Sequence, residues 1–185
     1  MKKILFWAAF ALFFQSHAVA QGVSGDDADS PGSVTVLSPW YLGMGLGVAA
    51  PAQDFNPDFT LGAGGVLFGG YRLSPLLALQ LDLNPWFYSG AGSTLYDYRA
   101  FCDFRFIFPS PALSTYLFLG PGYDVQVNNP GGYSTSSLAG VAGLGFQFDI
   151  RPGEHVFVEA RYNILFYRNF TQQDVPVLFG ISEDL

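Results

Sequence analysis

The amino-acid sequence predicts an all-β protein, an eight-stranded antiparallel up-and-down transmembrane β-barrel. Three observations predict this fold class. Apolar and polar residues alternate along eight successive segments, so each segment has one apolar and one polar face as a β-strand. Tight turns and longer loops alternate between these segments. Apolar residues make up 50% of the chain and charged residues only 12%, whereas soluble domains carry about 25% charged residues.

The first 20 residues are typical of a secretory signal peptide. Two lysines precede an apolar stretch, residues 4–14, that is too short to span a bilayer as a helix, and Ala18-Val19-Ala20 forms a small-residue cleavage site. An uncleaved anchor is the alternative. Residues 21–37 are acidic and rich in Gly and Ser, and we expect a flexible periplasmic lead-in there. After cleavage six arginines face fifteen acidic residues, a formal charge of −9, which argues against a nucleic-acid partner.

The barrel is predicted to occupy residues 38–185. Its eight strands are expected near residues 38–49, 59–72, 76–88, 95–108, 113–125, 138–150, 155–166 and 174–185. Tight turns fall at one end of the sheet and four longer loops at the other, as in outer-membrane barrels, whose short turns are periplasmic. Both termini then lie on the periplasmic side.

Each element follows from its local pattern. In strand 1 bulky apolar residues alternate with glycines, and a Pro/Asn/Asp loop follows. Strand 2 is rich in glycine and ends at a Leu-Ser-Pro turn. Strand 3 alternates leucines with Gln80 and Asp82, and strand 4 alternates aromatic with charged residues. A Pro-Ser-Pro turn leads to strand 5, the longest predicted loop (127–137) precedes strand 6, and an Arg-Pro-Gly-Glu turn leads to strand 7. A short loop then precedes strand 8.

The apolar face is predicted to point outward, to lipid. The opposite face is rich in glycine, which suits the crowded interior of an eight-stranded barrel but would only weaken strands on a solvated surface. That face also carries few charges, of both signs and without lysine, which disfavours the soluble alternative, a calyx or sandwich with its apolar face inward. We expect these charges to form an interior ion network that plugs the lumen: Arg72, Asp82, Asp97, Arg99, Asp103, Arg105, Asp149, Glu159 and Arg161.

Aromatic residues gather near the strand ends, as in the two interfacial girdles of membrane barrels. Those predicted at the loop end are Trp86, Phe87, Tyr88, Tyr96, Tyr98, Tyr123 and Tyr167. Those predicted at the turn end are Trp40, Tyr71, Phe106, Phe108, Tyr116 and Phe148.

Two hairpins carry a more specific pattern. Residues 69–83 (GGYRLSPLLALQLDL) join a Gly-Tyr-Arg strand end to alternating leucines through a Ser-Pro turn, and residues 143–163 (GLGFQFDIRPGEHVFVEARYN) contain Glu-x-Arg-Tyr. They resemble the small eight-stranded outer-membrane barrels of Gram-negative bacteria, the OmpA-like transmembrane domain and opacity-protein superfamily. The resemblance covers residues 38–185.

The resemblance implies an outer-membrane location with periplasmic termini. It implies outer-membrane lipid, the barrel-assembly machinery and periplasmic chaperones as partners. No peptidoglycan-binding domain follows strand 8, so that part of the OmpA pattern is missing. Many such barrels also end in an aromatic residue that the assembly machinery reads, whereas this chain ends in Leu185 and its nearest aromatic residue is Phe179.

The sequence predicts no enzyme and no cofactor. No metal-ligand cluster, nucleophile elbow or phosphate loop is present. His155 lies beside a tight turn, whereas the resemblance would require a catalytic histidine at the loop end, so an interfacial polar role is favoured over a general base. Cys102 can form no intrachain disulfide and is expected to act as a small apolar residue.

We therefore expect a barrel with a side-chain-filled lumen and four surface loops, for surface interaction or envelope integrity. The alternatives are a small porin-like channel for small or apolar solutes and, third, a lipid-modifying outer-membrane enzyme. Loops carry function by default, so Asn128, Asn129, Tyr133 and Asn169 are generic candidates for contact. The sequence specifies no surface ligand.

Overall fold

The protein forms a closed antiparallel barrel in which each strand pairs with the next and β8 pairs with β1. The computed structural model describes residues 38–52, 59–90, 92–110, 113–129, 132 and 134–185. The strands are β1 (Trp40–Pro51), β2 (Phe59–Ser74), β3 (Leu77–Gly90), β4 (Thr94–Phe108), β5 (Ser114–Asn129), β6 (Ser134–Arg151), β7 (Glu154–Phe166) and β8 (Thr171–Asp184). In these ranges no helix is long and apolar enough to cross a membrane. The predicted signal peptide and lead-in lie outside the described residues.

The predicted strand number, order and antiparallel topology are confirmed, but the loop predicted over 127–137 is wrong. β5 and β6 continue to pair as far as Val127 and Ser134, so most of that segment is hairpin. Its Ser, Thr and Asn residues carry no apolar alternation, yet a ladder needs only backbone donors and acceptors. β8 likewise begins three residues earlier than predicted, at Thr171.

The apolar faces of the strands point outward, as the alternation predicted. Leu46 and Leu81 are 77% and 65% exposed, whereas Arg99, on the inward face, is 2% exposed. Bulky apolar side chains are exposed on all eight strands. This distribution is the reverse of that in a soluble protein, where arginine is almost never fully buried.

Inside the barrel, aromatic rings lie against glycines of the neighbouring strand. The register places each ring directly opposite its glycine, and a Cβ atom on any of these glycines would come within 2.6 Å of the ring. Because glycine has no side chain, each ring can lie directly over the glycine backbone. The ring also shields that backbone. The pairs are Tyr41–Gly70, Phe68–Gly43, Tyr88–Gly62, Trp86–Gly64, Phe101–Gly122, Phe118–Gly143, Tyr116–Gly145 and Phe157–Gly180.

The predicted aromatic girdles are partly wrong for this reason. Trp86, Tyr88 and Tyr116 are buried in the lumen, and Tyr167 turns inward to donate a hydrogen bond to Asp124. Their positions near strand ends suggested an interfacial role. Side chains alternate between the two faces of a strand, however, and this alternation places these four on the inner face. The other predicted members lie on the outer face or its rim.

Candidate functional site

The lumen holds two groups of charged and polar side chains, one above the other. The loop-side network consists of Tyr88, Asp97, Arg99, Asp124, Gln126, Asn163, Gln172 and Asp174. The turn-side network consists of Gln80, Asp82, Asn84, Arg105, Tyr116, Glu159 and Arg161. All of these residues are buried. Both networks lie in the interior of the barrel, which in an eight-stranded barrel is just wide enough for side chains.

Arg99 is the centre of the loop-side network. Its Nη1 and Nη2 atoms donate to the two carboxylate oxygens of Asp174, at 2.9 and 2.7 Å. Its Nε atom donates to Asp97 Oδ1 at 2.9 Å. Tyr88 and Asn163 also donate to Asp174. The guanidinium therefore makes a two-pronged contact of the kind that gives arginine–carboxylate pairs both strength and direction, and it links β4 to β8 across the barrel.

Arg161 and Glu159 organise the turn-side network. Arg161 on β7 reaches Asp82 on β3, with 2.6 Å between Nη1 and Oδ2, and it also pairs with Glu159. Glu159 Oε2 accepts hydrogen bonds from Arg105 Nη2 at 2.7 Å and from the Tyr116 hydroxyl at 2.9 Å. The Arg105 guanidinium lies 4.4 Å from the centre of the Tyr116 ring. The Arg161–Asp82 contact crosses the lumen, because β7 and β3 are opposite strands of the barrel.

The structure brings six of the nine predicted network residues together: Asp82, Asp97, Arg99, Arg105, Glu159 and Arg161. Asp103 is also fully buried, and its carboxyl group contacts that of Asp82 in the turn-side network.

Two predicted members, Arg72 and Asp149, lie outside both networks. The Asp149 side chain is 56% exposed and contacts His155 Nδ1 at 2.7 Å, while Arg72 Nη2 pairs with Asp184 Oδ1 at 2.7 Å. Both occupy inward positions so close to the turn end of their strands that they line the mouth of the barrel rather than its interior.

Asp174 and Gln172 were missed by the sequence analysis. The predicted strand 8 begins at residue 174, and no residue of that strand is among the predicted network residues. The alternation of Gln172, Asp174 and Pro176 with Gln173, Val175 and Val177 continues the period of two and is the signal that would have placed Asp174 inside.

A cavity of about 240 Å³ opens above the loop-side network. We call it the vestibule. It is lined by Phe59, Leu95, Gln126, Asn128, Thr135, Tyr167, Phe170 and Gln172. Of the predicted contact residues, Asn128 lines it, whereas Asn129 and Asn169 are exposed outside it. Tyr133 lies outside the described residues. Burial and the neighbouring Asp124 carboxylate raise the pKa of the Tyr167 phenol well above its usual range, so this hydroxyl stays protonated and donates.

A small cavity of about 20 Å³ lies at the turn end, bordered by Arg72, Arg105 and Tyr116 among others. That volume is about the size of a single water site. His155 lies buried near this end with Nδ1 facing Asp149 and Nε2 facing Asp184 at 3.4 Å. Among the residues that the structure describes, no group of three or more His, Cys, Asp or Glu could hold a metal ion.

Comparisons with known proteins identify the fold. Neither a protein-family model nor a curated protein sequence matches the chain. Neisserial surface protein A matches with a TM-score of 0.70 at 15% identity, over 80% of this chain and 98% of that one. The outer-membrane protein OprG of Pseudomonas aeruginosa matches with a TM-score of 0.55 at 10% identity, over 80% and 97%.

Ail, the attachment invasion locus protein of Yersinia pestis, matches with a TM-score of 0.52 at 18% identity, over 79% of this chain and 99% of Ail. Identities this low establish the fold alone. The chain therefore has the fold of the small eight-stranded outer-membrane β-barrels, which its two hairpins resemble.

Proposed function

We propose that this protein is an integral barrel of the Gram-negative outer membrane, with a closed lumen and four loops that act in surface interaction or envelope integrity. The observation that carries the proposal is the combination of an apolar outer face with ion pairs that cross the lumen. The first feature supports a location in lipid, and the second supports a closed lumen. Assembly machinery and periplasmic chaperones would deliver such a barrel, and outer-membrane lipid would surround it.

The outer face supports the membrane location. A row of bulky apolar residues faces outward along β3, from Leu77 to Phe87, and a similar row runs along β8 from Val175 to Ile181. Exposing each such side chain to water rather than burying it would cost about 1.5–3 kcal/mol. In a bilayer the same residues are stabilised, because the outward band of a membrane barrel is apolar.

The periplasmic position of the termini is supported by the turns. The Leu185 amide donates to the Trp40 carbonyl at 3.0 Å, so both ends of the barrel domain lie together at the turn end. In outer-membrane barrels the short turns face the periplasm and the long loops face outward. The loop end, with its vestibule, would then face the cell exterior.

The ion pairs favour a closed lumen over the porin-like alternative. A solute would have to separate Arg99 from Asp174 and Arg161 from Asp82, which leaves buried charges without partners at a cost of several kcal/mol each. The lipid-modifying alternative finds no support at His155, because both of its ring nitrogens face carboxylates at the turn end.

Two experiments test the proposal. The protein should be recovered in the outer-membrane fraction and migrate faster on a gel before boiling than after it. In planar bilayers the wild type should show no regular conductance steps. Regular steps in the wild type that change in Glu159→Ala, but not in a variant of the exposed Arg151, Arg151→Ala, would overturn the closed lumen and favour a porin-like channel. Recovery in the soluble fraction without detergent would overturn the membrane location.

A further inference from the structure

We propose that the vestibule binds a small organic cation that carries an apolar or aromatic portion. The site itself depends only on the fold, and only its exposure to the cell exterior rests on the proposed function. The chemistry of the walls, the charge beneath the floor and the size of the cavity all support this ligand class.

The size and the walls select a small, partly apolar molecule. A volume of about 240 Å³ lies just below the roughly 300–1,000 Å³ of pockets for drug-sized ligands. Phe59, Leu95 and Phe170 supply apolar surface, and the rings of Tyr167 and Phe170 stack with their centres 4.8 Å apart. Aromatic faces attract cations, and more strongly where water is excluded.

The floor is made of neutral amides that screen acidic groups directly behind them. Gln126 Nε2 donates to Gln172 Oε1 at 3.0 Å and to Asp97 Oδ2 at 3.2 Å. The Tyr167 hydroxyl donates to Asp124 Oδ2 at 2.9 Å. Gln126 and Tyr167, which both line the vestibule, therefore each donate a hydrogen bond to a buried carboxylate. The acidic groups thus lie directly behind the residues that line the cavity.

The charge behind the floor is negative. Asp97, Asp124 and Asp174 surround the single guanidinium of Arg99. Asp124 also contacts Asp97, and even when these two share a proton the group keeps a negative charge. None of the residues that line the vestibule is basic. The cavity should therefore attract a cation and exclude an anion of the same shape.

Asp124 provides the second observation that points to a ligand. It is fully buried, the Nε atom of Arg99 lies 3.7 Å from its Oδ1 atom, which is too far for a hydrogen bond, and its contact with Asp97 is with a second acid. An ammonium group in the vestibule would be attracted electrostatically by this surplus of carboxylate oxygens without touching them. Its apolar portion would contact Phe59 and Phe170.

The test is a titration of the full-length barrel, folded in an uncharged detergent at low salt. The probes are phenethylammonium, its neutral counterpart phenethyl alcohol, and the anion phenylacetate, and binding is followed by calorimetry or by NMR. We expect the ammonium to bind at least tenfold more tightly than the alcohol and the anion not to bind. Equal binding of ammonium and alcohol, or no binding of the ammonium at millimolar concentration, would overturn the proposal.

Variants locate the site. Asp174→Asn keeps the shape and lowers the negative charge behind the floor by one, and it should weaken ammonium binding about fivefold or more. Asp149→Asn removes the same charge at the opposite mouth and should leave binding unchanged. If Asp174→Asn fails to fold, as judged by its migration on a gel, Phe170→Ala in an exposed loop position is the second variant and should weaken all binding. Equal losses in Asp149→Asn would overturn the site in favour of general attraction to an acidic protein.

The two proposals fail separately. Binding is measured in detergent on a barrel whose folding is checked by heat-modifiable migration, so its loss says nothing about membrane location or conductance. A folded barrel that binds the ammonium but is absent from the outer membrane would overturn the proposed function and leave the vestibule site intact.

Discussion

Tyr116 and Gly145 face each other across β5 and β6, and a Cβ atom on Gly145 would lie 2.1 Å from Cζ of the tyrosine ring. The ring occupies this space in a position from which its hydroxyl donates to Glu159 and its face lies beneath Arg105. A glycine on one strand thereby determines where a carboxylate on another strand is held. The glycines of the inner face therefore contribute to the packing of the ion network.

Gly145→Ala should destabilise the barrel. The added methyl group displaces the Tyr116 ring and loosens its hydrogen bond to Glu159, and overpacking of this kind costs about 1–3 kcal/mol. The control is Gly140→Ala on the same strand, where the nearest atom to a new Cβ, Cε2 of Phe166, lies 3.7 Å away. Urea unfolding in detergent should show a lower midpoint for the first variant only. Equal midpoints would contradict the packing role.

Arg99→Met should be among the most damaging single substitutions in the lumen. It leaves Asp97 and Asp174 buried without their cation, and removal of one partner of a buried ion pair costs about 3–5 kcal/mol. Arg151→Met is the matched control, since that side chain is 75% exposed and lies 3.7 Å from Glu154, a surface pair that contributes little. Thermal unfolding of both variants in the same detergent measures the difference. A similar small loss in both would show that the lumen is hydrated.

Leu81→Arg tests which solvent the outer face meets. In lipid vesicles a charge in the middle of the outward band of β3 should cost about 2–4 kcal/mol, whereas near the interfaces the cost falls to about 0–1 kcal/mol. Leu76→Arg makes the same change in the exposed β2–β3 turn and should cost little. The measurement is the fraction of protein that folds into vesicles as urea is diluted. Full folding of Leu81→Arg would be expected only of a water-exposed surface.

Asp184→Asn should loosen the seam between the first and last strands. Asp184 pairs with Arg72 and faces His155 at the turn end, and a hydrogen bond to a charged group contributes about 1.5–3 kcal/mol. Amide exchange of residues 181–184 should accelerate by about tenfold or more, since about 1.4 kcal/mol corresponds to a factor of ten. Arg151→Met, in a side chain that is 75% exposed at the same end of the barrel, should leave exchange unchanged. Equal rates in wild type and Asp184→Asn would assign no role to this contact.

The sequence was sufficient for the strands because a period of two is a local property. The inward position of Asp97 and Arg99 followed from the same alternation that put Tyr98 outside. Their partners did not follow, because Arg99 and Asp174 are 75 residues apart and meet only once closure places β4 opposite β8. The inward orientation of the Trp86 side chain was not predicted. Its closeness to a strand end indicated an interfacial position, whereas the alternation along β3 correctly indicates the inner face.

The vestibule could not be predicted for a similar reason. Its lining comes from five separate places in the chain, from Phe59 to Gln172. The generic preference for loop asparagines selected Asn129 and Asn169, which lie outside it. The floor of the cavity is the hydrogen-bonded pair Gln126–Gln172. The height of this pair in the barrel depends on the stagger of the strands, which no single segment encodes.

The pairing of β1 with β8 also has a consequence for how the barrel is made. Tyr41 is the partner of Asp184, so the first strand acquires its second neighbour only after the last strand has been synthesised. Until then the sheet has two open edges whose backbone donors and acceptors lipid cannot satisfy. Contacts between such distant residues also make folding slow. Entry into the bilayer one strand at a time is therefore disfavoured, and completion of the barrel in a single cooperative event, with its edges sheltered until the end, is the route that this topology favours.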